Sequence, residues 1–235
     1  MIIAGLQKLS LLDFPGKVAA TVFTGGCNLR CPFCHNSELL EAPPALMTAG
    51  EFFEFLSGRK GKIDGVCITG GEPCLQPDLC DFMKQIKTAG FAVKLDTNGC
   101  FPKHLENALN QNLLDYVALD VKNSAEQYPA TTGTERFGID NLLRSIELLL
   151  TSSVPFELRT TVVEPLHTME SFTGICSLLG PLTERTGRKI PEYYLQPFVD
   201  RDTVPFAGLK APNREKLAEY AKILTPVAEK VRIRG

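Results

Sequence analysis

Three cysteines of this 235-residue chain, Cys27, Cys31 and Cys34, stand as C-x3-C-x2-C within Thr24–Asn36, TGGCNLRCPFCHN. Thiolates this close together repel one another unless a soft metal centre neutralises them, and sulfur-rich sites suit zinc or an iron–sulfur cluster. A structural zinc site is usually closed by four protein ligands. His35, the obvious fourth, adjoins Cys34 and is poorly placed to reach the same ion. A four-iron cluster normally takes one cysteine per iron, so three cysteines leave one iron open to an outside ligand. A second constellation, Gly70-Gly71-Glu72-Pro73, ends the apolar run Gly65–Thr69. Its glycines let the backbone approach a ligand closely, and a carboxylate at a strand end can accept from an ammonium group.

The two motifs together, with Phe33 just before the last cysteine, resemble the radical S-adenosylmethionine superfamily. That resemblance implies a [4Fe–4S] cluster on Cys27, Cys31 and Cys34. It also implies S-adenosylmethionine bound at Gly70, Gly71 and Glu72, with Glu72 taking the methionine amino group, and cleavage to a 5′-deoxyadenosyl radical. Further segments resemble the glycyl-radical enzyme activating proteins: Asp13-Phe14-Pro15-Gly16, Cys34-His35-Asn36, Asp96-Thr97-Asn98-Gly99, Asp120-Val121-Lys122 and the Arg159 strand. The most specific likeness is to the longer anaerobic ribonucleoside-triphosphate reductase activating proteins.

By that likeness Asp96 and Thr97, in the motif that includes Asn98, lie near adenosylmethionine or a bound cation. Lys122 meets the methionine carboxylate, Arg159 contacts the cofactor, Asp120 faces the site, and Asp13 lies near a protein substrate. The implied partners are a glycyl-radical enzyme, with anaerobic ribonucleotide reductase foremost, and a flavodoxin- or ferredoxin-type electron donor. Val199 stands where many activases have the histidine of a Pro-Phe-His sequence, leaving Gln196 as the substitute contact. Plainer readings stay open. Asp13–Gly16 is also an ordinary turn, and an Arg159 pointing outward is only solvated. Two other functions compete: a radical enzyme acting on a small molecule, like 7-carboxy-7-deazaguanine synthase, and a non-catalytic zinc or iron–sulfur module.

These residues need a scaffold that brings successive strand ends to one edge. Apolar runs at 18–23, 65–69, 91–96, 116–120, 156–163 and 193–196 predict strands, interleaved with helices. Thr48-x-x-Glu51 is a capping box opening a helix through Leu56. Further helices are expected over 76–89, 102–110, 139–150, 169–179, with Gly180-Pro181 as its stop, and 214–224, capped by Asn213. The alternation is that of an α/β parallel array, which the resemblance renders as a partial (β/α)6 barrel with the site at its C-terminal edge. One domain over 1–235 is expected, with 1–17 as an N-terminal extension and 213–235 as a C-terminal helical cap. Lysine plus arginine (25) nearly balance aspartate plus glutamate (27), which points away from nucleic acid. Neither a leader-like start nor a membrane-length apolar run is present, so a cytoplasmic protein without membrane contact is expected. In a reducing compartment the clustered cysteines read as metal ligands, and Cys67, Cys74, Cys80, Cys100 and Cys176 as buried or incidental thiols.

Overall fold

The computed structural model describes residues 1–41, 43–135 and 138–234. Gly235, the last residue of the expected C-terminal cap, lies outside them. The strands are β1 (Ile3–Ser10), β2 (Ala19–Thr24), β3 (Gly65–Gly70), β4 (Ala92–Thr97), β5 (Tyr116–Asp120), β6 (Phe156–Val162), β7 (Ile190–Pro197) and β8 (Ala228–Ile233). The α-helices are α1 (Ala49–Ser57), α2 (Leu79–Thr88), α3 (Pro102–Asn110), α4 (Tyr128–Thr132), α5 (Ile139–Thr151), α6 (Met169–Thr186) and α7 (Arg214–Ile223). Strand order follows sequence order from β1 to β8. The pairs β2–β3, β3–β4, β6–β7 and β7–β8 are parallel, and β1–β2 is antiparallel. The fold is α/β, and β2 to β7 are the six strands expected from the sequence.

Two compact units divide the chain. The first takes in Met1–Asn28, Glu38–Thr97 and Lys103–Ala118; the second takes in Leu29–Ser37, Asn98–Pro102 and Leu119–Gly235. In the first, α1 begins with the expected capping box: Thr48 Oγ1 accepts the Glu51 N–H at 3.2 Å and the Glu51 carboxylate accepts the Thr48 N–H at 2.7 Å. Its Phe52 ring packs on Phe82 of α2 at 5.1 Å, which with Leu56, Met83 and Ile86 forms an apolar layer fully removed from water. Burial at roughly 25 cal/mol per Å2 stabilises this layer, which ties α1 to α2. In the second unit α5 and α6 bury Leu142, Ile146, Leu149, Phe172, Ile175 and Leu179, and the Phe172 ring stacks on Tyr220 of α7 at 4.4 Å.

Two differences from the sequence-based expectation have local causes. Helix α6 does not stop at Gly180-Pro181 but runs on to Thr186. A proline inside a helix gives up its own N–H bond and crowds the residue before it, and here that residue is Gly180, which brings no Cβ to crowd. The C-terminal segment is not helical throughout. After α7, whose Asn213 side chain caps the Lys216 N–H at 2.9 Å as expected, β8 adds in parallel to β7. Arg234, just beyond β8, grips the buried Glu157 of β6 through two bonds of 2.9 and 3.0 Å and lies over the Tyr194 ring at 3.7 Å.

Candidate active site

Within the first unit the Gly70–Glu72 turn is stitched to the start of the cysteine loop. The Gly71 N–H donates to Thr24 O at 2.9 Å and the Glu72 N–H donates to Gly26 O at 2.8 Å, one residue before Cys27. Both glycines are obligatory. Gly70 sits at φ +117°, and a Cβ on Gly71 would lie 2.0 Å from the Gly26 carbonyl oxygen. Glu72 is 1 % exposed, and its Oε1 accepts the Cys74 N–H at 3.0 Å and the Thr97 hydroxyl at 2.7 Å. Thus Glu72 and Thr97, far apart in sequence, meet at the C-terminal ends of β3 and β4. The neighbouring Cys74 thiol is pushed well up by burial first and by the Glu72 charge second, so it stays protonated.

One face of β2, β3 and β4 carries the remaining candidates of this unit. Thr21, Cys67 and Lys94 are register partners across the three strands. Below them stand the small residues Ala19, Gly65 and Ala92, over which the buried Phe14 ring is laid. Asp13, at the N-terminal end of β2, accepts the Thr21 hydroxyl at 2.6 Å. Asp96 stands two residues beyond Lys94, on the same face of β4. The Lys94 ammonium is ion-paired with Asp96, and the Cys67 thiol lies 3.7 Å from the same carboxylate.

In the second unit the rest of the cysteine loop is pinned from outside. The Arg30 N–H donates to Thr132 O at 2.8 Å, with Gly133 pressed against the Arg30 carbonyl where any Cβ would clash. The Cys34 N–H donates to Cys31 O at 3.1 Å, closing a tight turn between two of the three cysteines. Cys31 is buried while Cys27 and Cys34 are half-buried, and all eight cysteines of the chain are reduced. His35 stacks on Phe198 at 5.6 Å and meets the Val199 carbonyl through Nε2 at 2.6 Å. The residue in the expected histidine position therefore contributes its backbone to the cysteine loop. Gln196 lies half-buried on β7, paired in register with Thr161. The Asn98 side chain closes a local turn onto the Cys100 N–H at 3.0 Å.

Asp120, Lys122 and Arg159 form an ionic triad. Arg159 Nε donates to one Asp120 oxygen at 2.8 Å and Lys122 Nζ to the other at 2.8 Å. Burial alone would push the Asp120 carboxyl up, but the two cations outweigh it and hold the group well below the usual carboxylate range. Burial would lower the Lys122 ammonium, and Asp120 and then Cys31 override it upward. Arg159 thus points inward onto a partner, which settles its orientation. The triad carries one net positive charge, suited to an anionic group.

Sequence reasoning missed the residues that hold Lys122 still. The Lys122 N–H donates to the Tyr128 hydroxyl at 3.0 Å, and its carbonyl receives a bond from His167 Nε2 at 2.7 Å. His167 Nδ1 lies 3.1 Å from the Val163 N–H and 3.2 Å from the Val163 carbonyl, while Nε2, which faces only the Lys122 carbonyl among these contacts, carries a proton. Burial lowers its basicity despite those bonds. The ring also meets Phe33 edge-on at 6.3 Å, joining the cysteine loop to Lys122. Nothing in the run Glu164-Pro-Leu-His167 signals this; a lone histidine after a strand carries no spacing. Lys94 was legible by the test that marks Arg159, a charge inside an apolar strand, Phe91-Ala-Val-Lys-Leu-Asp96.

Residues 21–179, about two thirds of the chain, match the Radical SAM superfamily. The chain belongs to the radical SAM superfamily. A protein of Methanocaldococcus jannaschii described as a glycyl-radical enzyme activating enzyme is 32 % identical over 242 residues, covering 99 % of this chain and 95 % of its own. The pyruvate formate-lyase-activating enzyme of Clostridium pasteurianum is 34 % identical over 152 residues, covering 62 % of this chain and 63 % of its own. Among solved structures, a domain of pyruvate-formate lyase-activating enzyme from Bacteroides vulgatus aligns with a TM-score of 0.58 at 20 % identity. It covers 73 % of this chain and 99 % of that domain. This radical SAM enzyme falls with the glycyl-radical enzyme activating proteins. With the superfamily come its cofactors, a [4Fe–4S] cluster and S-adenosylmethionine.

The residues present fit both groups. Among the described residues no three His, Cys, Asp or Glu side chains converge on a single ion; a cluster taking one thiolate per iron makes no such demand. The net positive triad suits the carboxylate of a methionine moiety. Among the described residues no helix is long and apolar enough to cross a membrane.

Proposed function

We propose that this enzyme installs a glycyl radical on a partner glycyl-radical enzyme, with anaerobic ribonucleoside-triphosphate reductase as the foremost candidate. In this reading Cys27, Cys31 and Cys34 hold the cluster, one iron each. Gly70, Gly71 and Glu72, with Asp96, Thr97 and Asn98, would contact adenosylmethionine, as would Lys122, Arg159 and Gln196. Phe33 would add an aromatic contact. When bound, the pair supplies a 5′-deoxyadenosyl radical able to take hydrogen from a glycine. The chain itself orients and shields: Lys122 attracts the methionine carboxylate, Asp120 keeps the Lys122 ammonium aimed, and the buried Glu72 and Thr97 fix the ends of β3 and β4. A flavodoxin- or ferredoxin-type protein would supply the electron. The protein is a cytoplasmic one in this reading.

The observation that carries the reading is the end-to-end similarity to a glycyl-radical enzyme activating enzyme, 99 % of this chain and 95 % of the relative. Asp13 supports it locally, since its carboxylate is aimed along the sheet face through Thr21. The test is Asp13→Asn. The variant should cleave adenosylmethionine under strong reduction at near wild-type rate yet place much less glycyl radical on a co-encoded reductase, read by electron paramagnetic resonance. Wild-type protein that forms no radical on any co-encoded glycyl-radical enzyme, yet turns over a small molecule, would refute the reading.

A further inference from the structure

The polar cluster on β3 and β4 has a feature beyond the proposed function, although it rests on Asp96 bordering the adenosylmethionine site. Lys94 is 2 % exposed and Cys67 fully buried, while the Asp96 side chain retains 14 % of its exposure. The Lys94 ammonium contacts Asp96 Oδ1 and lies 3.6 Å from Cys67 Sγ. The cation therefore sits on the protein side, and the carboxylate borders the open strand end, next to the Thr97 that binds Glu72. A buried ammonium is costly to desolvate unless a carboxylate compensates it, and removal of one partner strands the other.

A strand-end carboxylate of this kind can be neutralised by a bound ion or by an ammonium of the chain. Likeness to the activases leaves adenosylmethionine or a bound cation beside Asp96. In this chain the register of β3 against β4 puts Lys94 there, fixed by Cys67 below it. In the second unit, Asp120 is likewise satisfied by cations of its own chain, Arg159 and Lys122.

We propose that Lys94 is the resident cation of Asp96, occupying the place a bound alkali or divalent ion would take, so that adenosylmethionine binding here needs no added metal ion at this carboxylate. Lys94 is a positioning residue: it acts through Asp96 and touches no reacting atom.

The test uses the reconstituted holoenzyme without any partner protein. Two quantities are read at constant ionic strength, with choline, lithium, sodium or potassium chloride, and with magnesium chloride or chelator added. These are adenosylmethionine affinity by equilibrium titration and melting temperature. Wild type should vary by less than about twofold in affinity across these salts. Lys94→Met should bind about tenfold or more weakly in choline chloride, and one of the small cations should restore affinity and melting temperature together. Lys94→Arg, which keeps a cation, and the double variant Lys94→Met/Asp96→Asn, which removes both charges, should be indifferent to the salt. A wild-type affinity raised about fivefold or more by one particular cation overturns the proposal. So does a Lys94→Met variant that responds to cations no more than wild type. If Lys94→Met does not fold, a salt-dependent Lys94→Arg or double variant overturns it, and salt-independent ones beside an indifferent wild type uphold it. Neither readout involves a glycyl radical, so failure of the partner assignment and failure of this proposal are separable.

Discussion

Replacing Lys122 by methionine tests the ionic triad most directly, because its two consequences can be measured apart. The first is on stability. Lys122 Nζ makes one charge-assisted bond of 2.8 Å to Asp120, which keeps Arg159 on its other oxygen at 2.8 Å. Loss of one such bond costs roughly 1.5–3 kcal/mol, less than the roughly 3–5 expected for a buried charge left with no partner. At about 2–4 °C per kcal/mol for a chain of this size, the melting temperature should fall by about 3–12 °C. The second is on binding. If the ammonium also meets the methionine carboxylate, adenosylmethionine affinity should drop about ten- to hundredfold, by the same bond energy at 1.4 kcal/mol per decade. Iron and sulfide should stay at wild-type content, since no cysteine is touched. Equilibrium titration of reconstituted protein measures the affinity, and Lys122→Arg separates lost charge from lost shape: by keeping a cation beside Asp120 it should regain most of the stability and only part of the affinity. Unchanged affinity in the Lys122→Met variant would refute the role given to Lys122.

The other expectations are shorter. Alanine at Cys27, Cys31 or Cys34 should leave a partial or absent cluster, whereas Cys176→Ala should retain full iron and sulfide; equal losses would contradict the ligand assignment. Gly71→Ala puts a Cβ 2.0 Å from the Gly26 carbonyl oxygen, so it should lower both melting temperature and cluster content by parting the turn from the Cys27 loop; wild-type values in both would show that the stitch is dispensable. His167 is held neutral by burial, below its ordinary value of 6.5. Its contribution to stability is therefore present above that pH and lost as pH falls through the window beneath it, at most about 1.4 kcal/mol per pH unit. His167→Gln should flatten that slope in urea unfolding between pH 5 and 7 and weaken adenosylmethionine binding; a slope unchanged from wild type would contradict the neutral tautomer.

The central strands were legible because each is a short apolar run ending in a turn motif, and a strand buried on both faces has little freedom to read otherwise. The two outer strands were not. β8, Ala-Glu-Lys-Val-Arg-Ile, is mostly exposed and charged, and its pairing depends on β7 and on the Arg234–Glu157 bond, which no local pattern announces. β1 alternates too weakly to stand out and is fixed by its antiparallel partner β2. The α6 stop failed because a Gly-Pro pair ordinarily breaks a helix, while here the helix continues through Pro181 with a preceding residue that brings no Cβ for the ring to crowd.

The site shows the same division between what chain order encodes and what packing supplies. The meeting of Glu72 with Thr97 was foreshadowed because each ends or follows a strand, and the ends of neighbouring parallel strands share one edge. The electrostatic state of the strand-end carboxylates depends in part on a cross-strand pair, Arg159 with Asp120, which no local pattern announces. Two spacings on single strands decide the rest. Lys94 and Asp96, and likewise Asp120 and Lys122, stand two residues apart, which puts each pair on one face when the backbone is extended. An i,i+2 pair of opposite charges bridging an apolar strand and its end is therefore a local signal for a self-neutralised carboxylate. On that argument Asp96 and Asp120 each organise a cation of their own chain, Lys94 in one case and Lys122 with Arg159 in the other, and the second grouping is left with a net positive charge.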